Sequence, residues 1–253
     1  MSQLNLALRA GISGKHLSFV ETGRAQPGRD VVLRLATALN LPLRDRNAAL
    51  VAAGYAPIYR QASLEAPEMA PVRRAVEFIL RQQEPYPAIA MDRLTFIYRV
   101  NRGADRFLRM CMGDAALSRP LNLSRLLLAP DGLRPHIVNW QDVARITVAR
   151  LRHEVSSVPG MPEAQAFLEE LLALPGLPPE CLIPRPEASA PPVVSTEFRK
   201  NGRSFRLFNM ITTLGTPQDV TLQELRIECS FPADDETDVA LRALVETPDL
   251  VEA

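Results

Sequence analysis

The sequence predicts an α+β protein: an all-helical segment over roughly the first fifth, then a larger domain combining helices with a five-stranded antiparallel sheet. Three observations carry this. Apolar residues up to about position 53 recur at helical spacing. Stretches near the C-terminus read as strands, two of them flanking Asn201-Gly202, a strong hairpin signal. Charge divides the chain in the same place. Residues 1–60 hold eight basic side chains against three acidic ones, a net +5, and because the whole chain is neutral the remainder carries −5. At 253 residues, 47% of them hydrophobic, there is material for two domains and a sizeable core.

Ser2 to Glu21 read as two short helices joined by a tight turn. Leu4, Leu6 and Leu8 with Ala7 build the first, and Gly11 ends it because glycine takes the left-handed conformation at little steric cost. Ile12 plugs the turn. Ser13 caps the second helix, whose Leu17 and Val20 face inward, while Gly14, Lys15, His16, Ser18 and Phe19 occupy the other face. This is a helix-turn-helix with a second helix shaped for a major groove. Asp30 is expected to cap the next helix, with Leu33, Leu35, Ala36 and Leu39 on its apolar stripe, and Leu43 to Ala53 forms the last one. The basic excess lies where the motif lies, as a phosphate-binding surface requires.

These residues, with E-T-G-R-A-Q-P-G-R-D and V-V-L-R-L-A-T-A-L-N-L-P after them, resemble the XRE (Cro-like) family of bacterial regulators. The resemblance implies a domain of about five helices in which Gln3 contacts phosphate and base. It implies that Gly14, Lys15, Ser18 and Phe19 face bases, that Glu21 closes the recognition helix, and that Arg24 and Arg29 track the backbone with Thr22 and Gly23. The DNA-binding set is therefore Gln3, Ser13, Gly14, Lys15, His16, Ser18, Phe19, Arg24 and Arg29. The family places a basic helix before the glutamine; here the chain starts where that helix should end, so the first helix is read as missing and DNA binding by this polypeptide as weakened.

Beyond a linker at 58–70, a helix is predicted over Val72 to Gln83, then strands over Ala88 to Met91 and Phe96 to Val100. Asn101 caps a helix to Met112. Further helices follow over Leu121 to Leu128, Pro135 to Val155 and Pro162 to Leu174. Seven prolines between Pro175 and Pro192 mark an irregular crossing. Val193 to Lys200 and Ser204 to Leu214 form the hairpin, Thr221 to Phe231 a last strand, and Glu236 to Val245 a short final helix.

Two strands, a block of helices, then three antiparallel strands is a PAS-like order, with helices expected over one face of the sheet. The segments P-Y-P-A-I-A-M-D-R, N-L-S-R-L-L-L-A-P-D-G-L-R-P-H-I-V-N-W and T-T-L-G-T-P-Q-D-V-T-L-Q-E-L-R-I-E-C-S-F-P-A-D resemble the ligand-binding domain of MmyB/MltR-type XRE regulators. The expected organisation is thus a helix-turn-helix domain over 1–57, the linker, and a PAS-like ligand-binding domain over 71–246. The resemblance implies a one-component sensor whose C-terminal domain holds a small apolar, fatty-acid-like ligand. The partners expected are double-stranded operator DNA, that ligand and a second copy of the chain in a homodimer.

For Trp140, Phe208 and Met210, core filling and lining of the ligand cavity are both open readings. A carboxylate at the cavity mouth could be held by Arg134, Arg145, Arg206 or Tyr98, among which the sequence does not choose. His136 and His153 lack metal-ligand spacing, and Cys111, Cys181 and Cys229 are isolated, so neither a metal nor a disulfide framework is expected. There is no Walker loop, dinucleotide motif or catalytic carboxylate pair, so no enzyme and no cofactor is expected. With no signal peptide and no apolar run of membrane length, a cytoplasmic location follows. The competing reading is a metabolite-binding protein or enzyme carrying a vestigial, inactive helix-turn-helix.

Overall fold

The computed structural model describes residues 1–114, 120–156, 161–183 and 194–246. They form two compact units. One contains residues 1–63 together with 215–223, and the other the remaining described chain from residue 64 onward.

The first unit opens with helices α1 (Gln3–Ala10), α2 (Gly14–Glu21), α3 (Arg29–Ala38) and α4 (Leu43–Ala52). Gly11 ends α1 at φ +62°, which lets its N–H reach Leu8 O at 3.1 Å and the Ile12 N–H reach Ala7 O at 3.0 Å. The Ser13 hydroxyl accepts the His16 N–H at 3.1 Å and starts α2. Ala7, Ala10, Leu17, Val32, Ala36 and Leu50 fill the core. Two expectations need correction. Leu39, expected on the apolar stripe of α3, is that helix's C-cap and stands 45% exposed, because Val32, Ala36 and Ala38 take the inward positions. Asp30 does not cap α3; Gly28 is its N-cap, and Asp30 sits in the first turn paired with Arg34 at 3.1 Å.

Residues 215–223 join this unit through hydrogen bonds. Val220 N–H donates to Arg60 O at 2.8 Å, Ala62 N–H to Asp219 Oδ2 at 3.1 Å, and Leu43 N–H, at the start of α4, to Gln223 Oε1 at 2.6 Å.

The second unit comprises α5 (Ala70–Gln82), β1 (Ala88–Met91), β2 (Ile97–Val100), α6 (Arg102–Met112), α7 (Leu123–Leu128), α8 (Trp140–Ser156), α9 (Pro162–Leu172), β3 (Thr196–Lys200) and β4 (Arg203–Thr213). A short helix α10 (Val220–Glu224), most of it in the first unit, then leads into β5 (Arg226–Pro232) and α11 (Asp235–Glu246). The five strands form one antiparallel sheet ordered β2-β1-β5-β4-β3. Asn201 and Gly202 turn the β3–β4 hairpin with φ of 51° and 76°, the pair of positive values that a two-residue type I′ turn demands.

Several boundaries shift from the sequence reading. Arg134–His136 is a separate 3-10 turn, so the long helix starts at Trp140 rather than Pro135. The stretch from Thr221 is not continuous strand: Asp219 accepts the Thr221 N–H at 2.8 Å and caps α10 before β5 begins. The expected strand start at Val193 and residues 184–192 of the proline-rich crossing lie outside the described residues.

Both faces of the sheet are covered, not one. Ala88, Ala90, Leu225, Ile227 and Cys229 pack with Val76 and Leu80 of α5. On the opposite face Phe198, Phe205 and Leu207 pack with Phe107 and Leu108 of α6, Leu126 of α7, Val143 of α8 and Leu241 of α11. Phe107 meets Phe198 and Phe205 edge-on, with centroids 5.0 and 5.5 Å apart. Among the described residues no helix is long and apolar enough to cross a membrane.

Candidate DNA-binding helix and ligand cavity

On α2, Leu17 is buried and Lys15 exposed, with Gly14, His16, Ser18 and Phe19 half-buried around it. The Lys15 ammonium lies 5.7 Å from the Phe19 ring centroid, a loose cation–π contact that leaves the charge outward. Gln3, at the start of α1, donates its side-chain amide to Glu21 at the end of α2 and so ties the two helices together. Ser13 spends its hydroxyl on the helix cap. Arg24 and Arg29 are exposed in and just after the α2–α3 loop, where the Arg24 N–H donates back to Phe19 O at 2.8 Å. Arg34, not singled out from sequence, bonds Gly11 O at 3.1 Å and braces the turn.

The second unit contains a cavity of about 210 Å³ between the sheet and α8. One stripe of α8 lines it, Val143, Ile146, Thr147, Arg150, Leu151 and Glu154, the i, i+3, i+4, i+7 spacing of a helix face. Thr95 and Arg93 from the β1–β2 turn, Leu123, Ser124 and Leu127 of α7, and Asn209, Ile211 and Glu228 of the sheet complete the wall. A second, mainly apolar cavity of about 60 Å³ is lined by Ile89, Ala104, Phe107, Leu108, Leu133, Phe198 and Leu207 among others. The two share Leu123, Leu127, Thr196, Asn209 and Glu228, so an apolar recess runs beside a polar chamber.

Charges in the chamber are already paired. Arg93, its side chain 8% exposed, bonds Glu154 Oε2 through Nε and Nη2 at 3.1 and 3.0 Å, and its Nη1 lies 3.6 Å from Glu224. Arg150 Nη1 bonds Glu228 Oε2 at 2.9 Å, and Asn209 Nδ2 donates to Glu228 Oε1 at 2.7 Å, so both oxygens of this buried carboxylate are occupied. Arg226 sits near the same cluster; burial pulls its pKa down, with Glu154 and Glu224 acting against that.

None of the three residues singled out for ligand contact lines either cavity. The strand register sets Phe208 opposite Phe231 and Met210 opposite Cys229, on the α5 side of the sheet, and the two phenylalanine rings stack at 5.5 Å. Asn209 and Ile211, one position away, point to the cavity instead. Trp140 packs at the rim of the main core with its Nε1–H 3.3 Å from Leu127 O and the Arg134 guanidinium 3.8 Å from its ring. The four candidates for holding a carboxylate are also elsewhere. Arg134 bonds the carbonyls of Pro175 and Gly176, Arg145 pairs with Asp142, Arg206 with Glu197, and Tyr98 packs against the α5 cluster. The arginines at the cavity, Arg93 and Arg150, were missed. The signal available for Arg150 was its place on the Val143–Glu154 stripe of α8.

Comparison with known families matches the ligand binding domain of MmyB-like transcription regulators over residues 72–244 and a helix-turn-helix family over residues 1–45. No curated protein matches the chain.

Proposed function

Since the chain belongs to the MmyB-like transcription regulators, a ligand-responsive, DNA-binding regulator, we propose that it reads a specific operator through the exposed face of α2 and senses a molecule with an apolar, fatty-acyl-like chain in the α8 cavity. The observation that carries this reading is the joining, in one chain, of a capped recognition helix presenting Lys15 with a sheet domain enclosing a chamber and an apolar recess. Gln3, Gly14, Lys15, His16, Ser18 and Phe19 are assigned to the groove, with Ser13 shaping the helix start, and Arg24 and Arg29 to phosphates. Domain limits of 1–57 and 71–246 serve this division, with 58–70 as the linker.

One helix-turn-helix reads only a few base pairs. A homodimer on a palindromic operator, placing two α2 helices in major grooves about 34 Å apart, supplies the rest. A regulator of this kind works in the cytoplasm. The connection between β4 and β5 gives the switch a covalent route. These strands bring Asn209, Ile211 and Glu228 to the cavity, and residues 215–223 between them hydrogen-bond the segment from Leu43 to Ala62. Occupancy alters DNA affinity to the extent that the ligand binds the two DNA-affinity states unequally.

Fluorescence anisotropy with a selected operator and a random duplex, at several salt concentrations, tests the reading. Salt-dependent binding that favours the operator is expected. Absence of any salt-dependent duplex binding overturns it.

A further inference from the structure

We propose that Arg93 and Glu224 position Gln223, and that Gln223 in turn caps helix α4, so that the wall of the ligand cavity governs how that helix starts. The proposal rests on the reading of this cavity as the ligand site, and it names the residues through which the state of the cavity is passed on. The far end of the relay is a helix start that cannot cap itself. Pro42, the N-cap of α4, makes no side-chain cap hydrogen bond, and proline has no side-chain oxygen with which to make one. The Leu43 N–H, on a residue 7% exposed, donates instead at 2.6 Å to Oε1 of Gln223, which stands 180 positions further along the chain. A buried N–H in the first turn of a helix needs a partner, and here a side chain of α10 supplies it.

The near end is a guanidinium shared by two carboxylates. Arg93 lines the cavity, and the turn that carries it is pinned. Asn122 Nδ2 donates to Leu94 O at 2.8 Å, and the Ser124 N–H to Thr95 Oγ1 at 3.2 Å. With its backbone held, the buried Arg93 side chain answers to its two partners. Nε and Nη2 hold Glu154, on the α8 stripe that lines the cavity, at 3.1 and 3.0 Å, while Nη1 lies 3.6 Å from Glu224. The grip on Glu154 is hydrogen-bonded, whereas the contact with Glu224 is a looser ion pair beyond hydrogen-bond length. A shift at Glu154 therefore changes first how closely Arg93 holds Glu224. Glu224 ends α10, a helix of five residues capped by Asp219. One planar peptide bond joins it to Gln223, so drawing Glu224 toward or away from Arg93 carries the acceptor of the Leu43 N–H with it.

The test is NMR-detected amide hydrogen exchange in the full chain, read at Leu43 and, for reference, at Leu17, whose N–H donates to Ser13 O at 3.0 Å in the same unit. Gln223→Ala is expected to speed exchange at Leu43 by about tenfold or more and to leave Leu17 unchanged. Glu224→Gln should speed Leu43 by about threefold or more, yet add nothing in the Gln223→Ala background, because the two residues act in series. Glu154→Gln should act in the opposite sense and slow exchange at Leu43, because Arg93 is freed to close on Glu224; a purely destabilising change would speed it. The proposal is overturned if Leu43 follows Leu17 in every variant, or if Glu224→Gln leaves Leu43 unchanged or adds to Gln223→Ala. Unchanged or faster exchange at Leu43 in folded Glu154→Gln overturns it too. Operator anisotropy on the same variants separates this result from the regulator reading. The expected exchange pattern in a protein that shows no salt-dependent duplex binding supports the relay and overturns the regulator.

Discussion

Lys15 combines exposure, a position on the outer face of α2 and a ring neighbour, Phe19, 5.7 Å from its ammonium. If it meets a base edge, Lys15→Ala costs ~1–3 kcal/mol on the operator and little on random DNA. Arg24→Ala and Arg29→Ala are expected to weaken both duplexes alike and to lower the slope of log Kd against log salt by about one each. Parallel anisotropy titrations separate the two behaviours. His136 gives a second test at this scale. Burial and the Lys200 ammonium, 3.2 Å from its Nε2, hold its pKa below the ordinary ~6.5, against a smaller opposing pull from Cys111 O. The unfolded chain therefore takes up this proton first as pH falls. Its contribution to stability is complete above about pH 6.5 and declines below it. Urea midpoints between pH 7.5 and 5 should fall less steeply in His136→Asn than in the parent protein. Cys111 has its thiol pushed up to about 12 by burial, with Lys200 only partly offsetting this, so slow alkylation of the native protein at pH 8 is expected.

At the scale of elements, several caps were legible in sequence, Asp30 and Asp219 being the exceptions, and sheet faces were not. Gly11, Ser13 and Asn101 announce helix ends through local chemistry that tertiary packing has no cause to override. Asn101 does more than its sequence suggests. Its Oδ1 accepts from Ala88 and Ala104 and its Nδ2 donates to Leu80 and Tyr86, joining β1, α6 and the end of α5. Asn101→Ala should cost about 2–4 kcal/mol in denaturant unfolding, since several buried backbone groups lose partners at once. Asp219 stands just before the stretch from Thr221 that reads as a strand, although an aspartate followed by a short polar-apolar run is a helix-start signal. Asp219→Ala removes that cap and the acceptor for Ala62, with an expected loss of ~1 kcal/mol. On β5, Ile227 and Cys229, with Leu225 just before the strand, alternate with Arg226 and Glu228, the pattern of a strand buried on one side. Because α5 covers one face and α8 the other, Glu228 is buried as well, at the cavity. The same blindness led to Phe208 and Met210: size and apolarity suggested a pocket, but register decides the face, and no local signal fixes register here.

At the scale of the whole molecule, the helix-turn-helix and the ligand domain were recognisable because each carries a long motif, whereas the cavity is assembled from residues more than a hundred positions apart. Arg93, Arg150 and Glu228 have no common signature until the chain folds. The protein is expected to be dimeric by light scattering on its operator, with a two-fold symmetric footprint; a monomer with an asymmetric footprint contradicts the palindromic reading. The central claim is that cavity occupancy changes DNA affinity. It is tested most directly by operator anisotropy at fixed salt with and without a saturating fatty-acyl compound, with calorimetry verifying that the compound is bound. The account predicts a shift in Kd of roughly 5- to 150-fold in either direction. An unchanged Kd with the ligand demonstrably bound would contradict it.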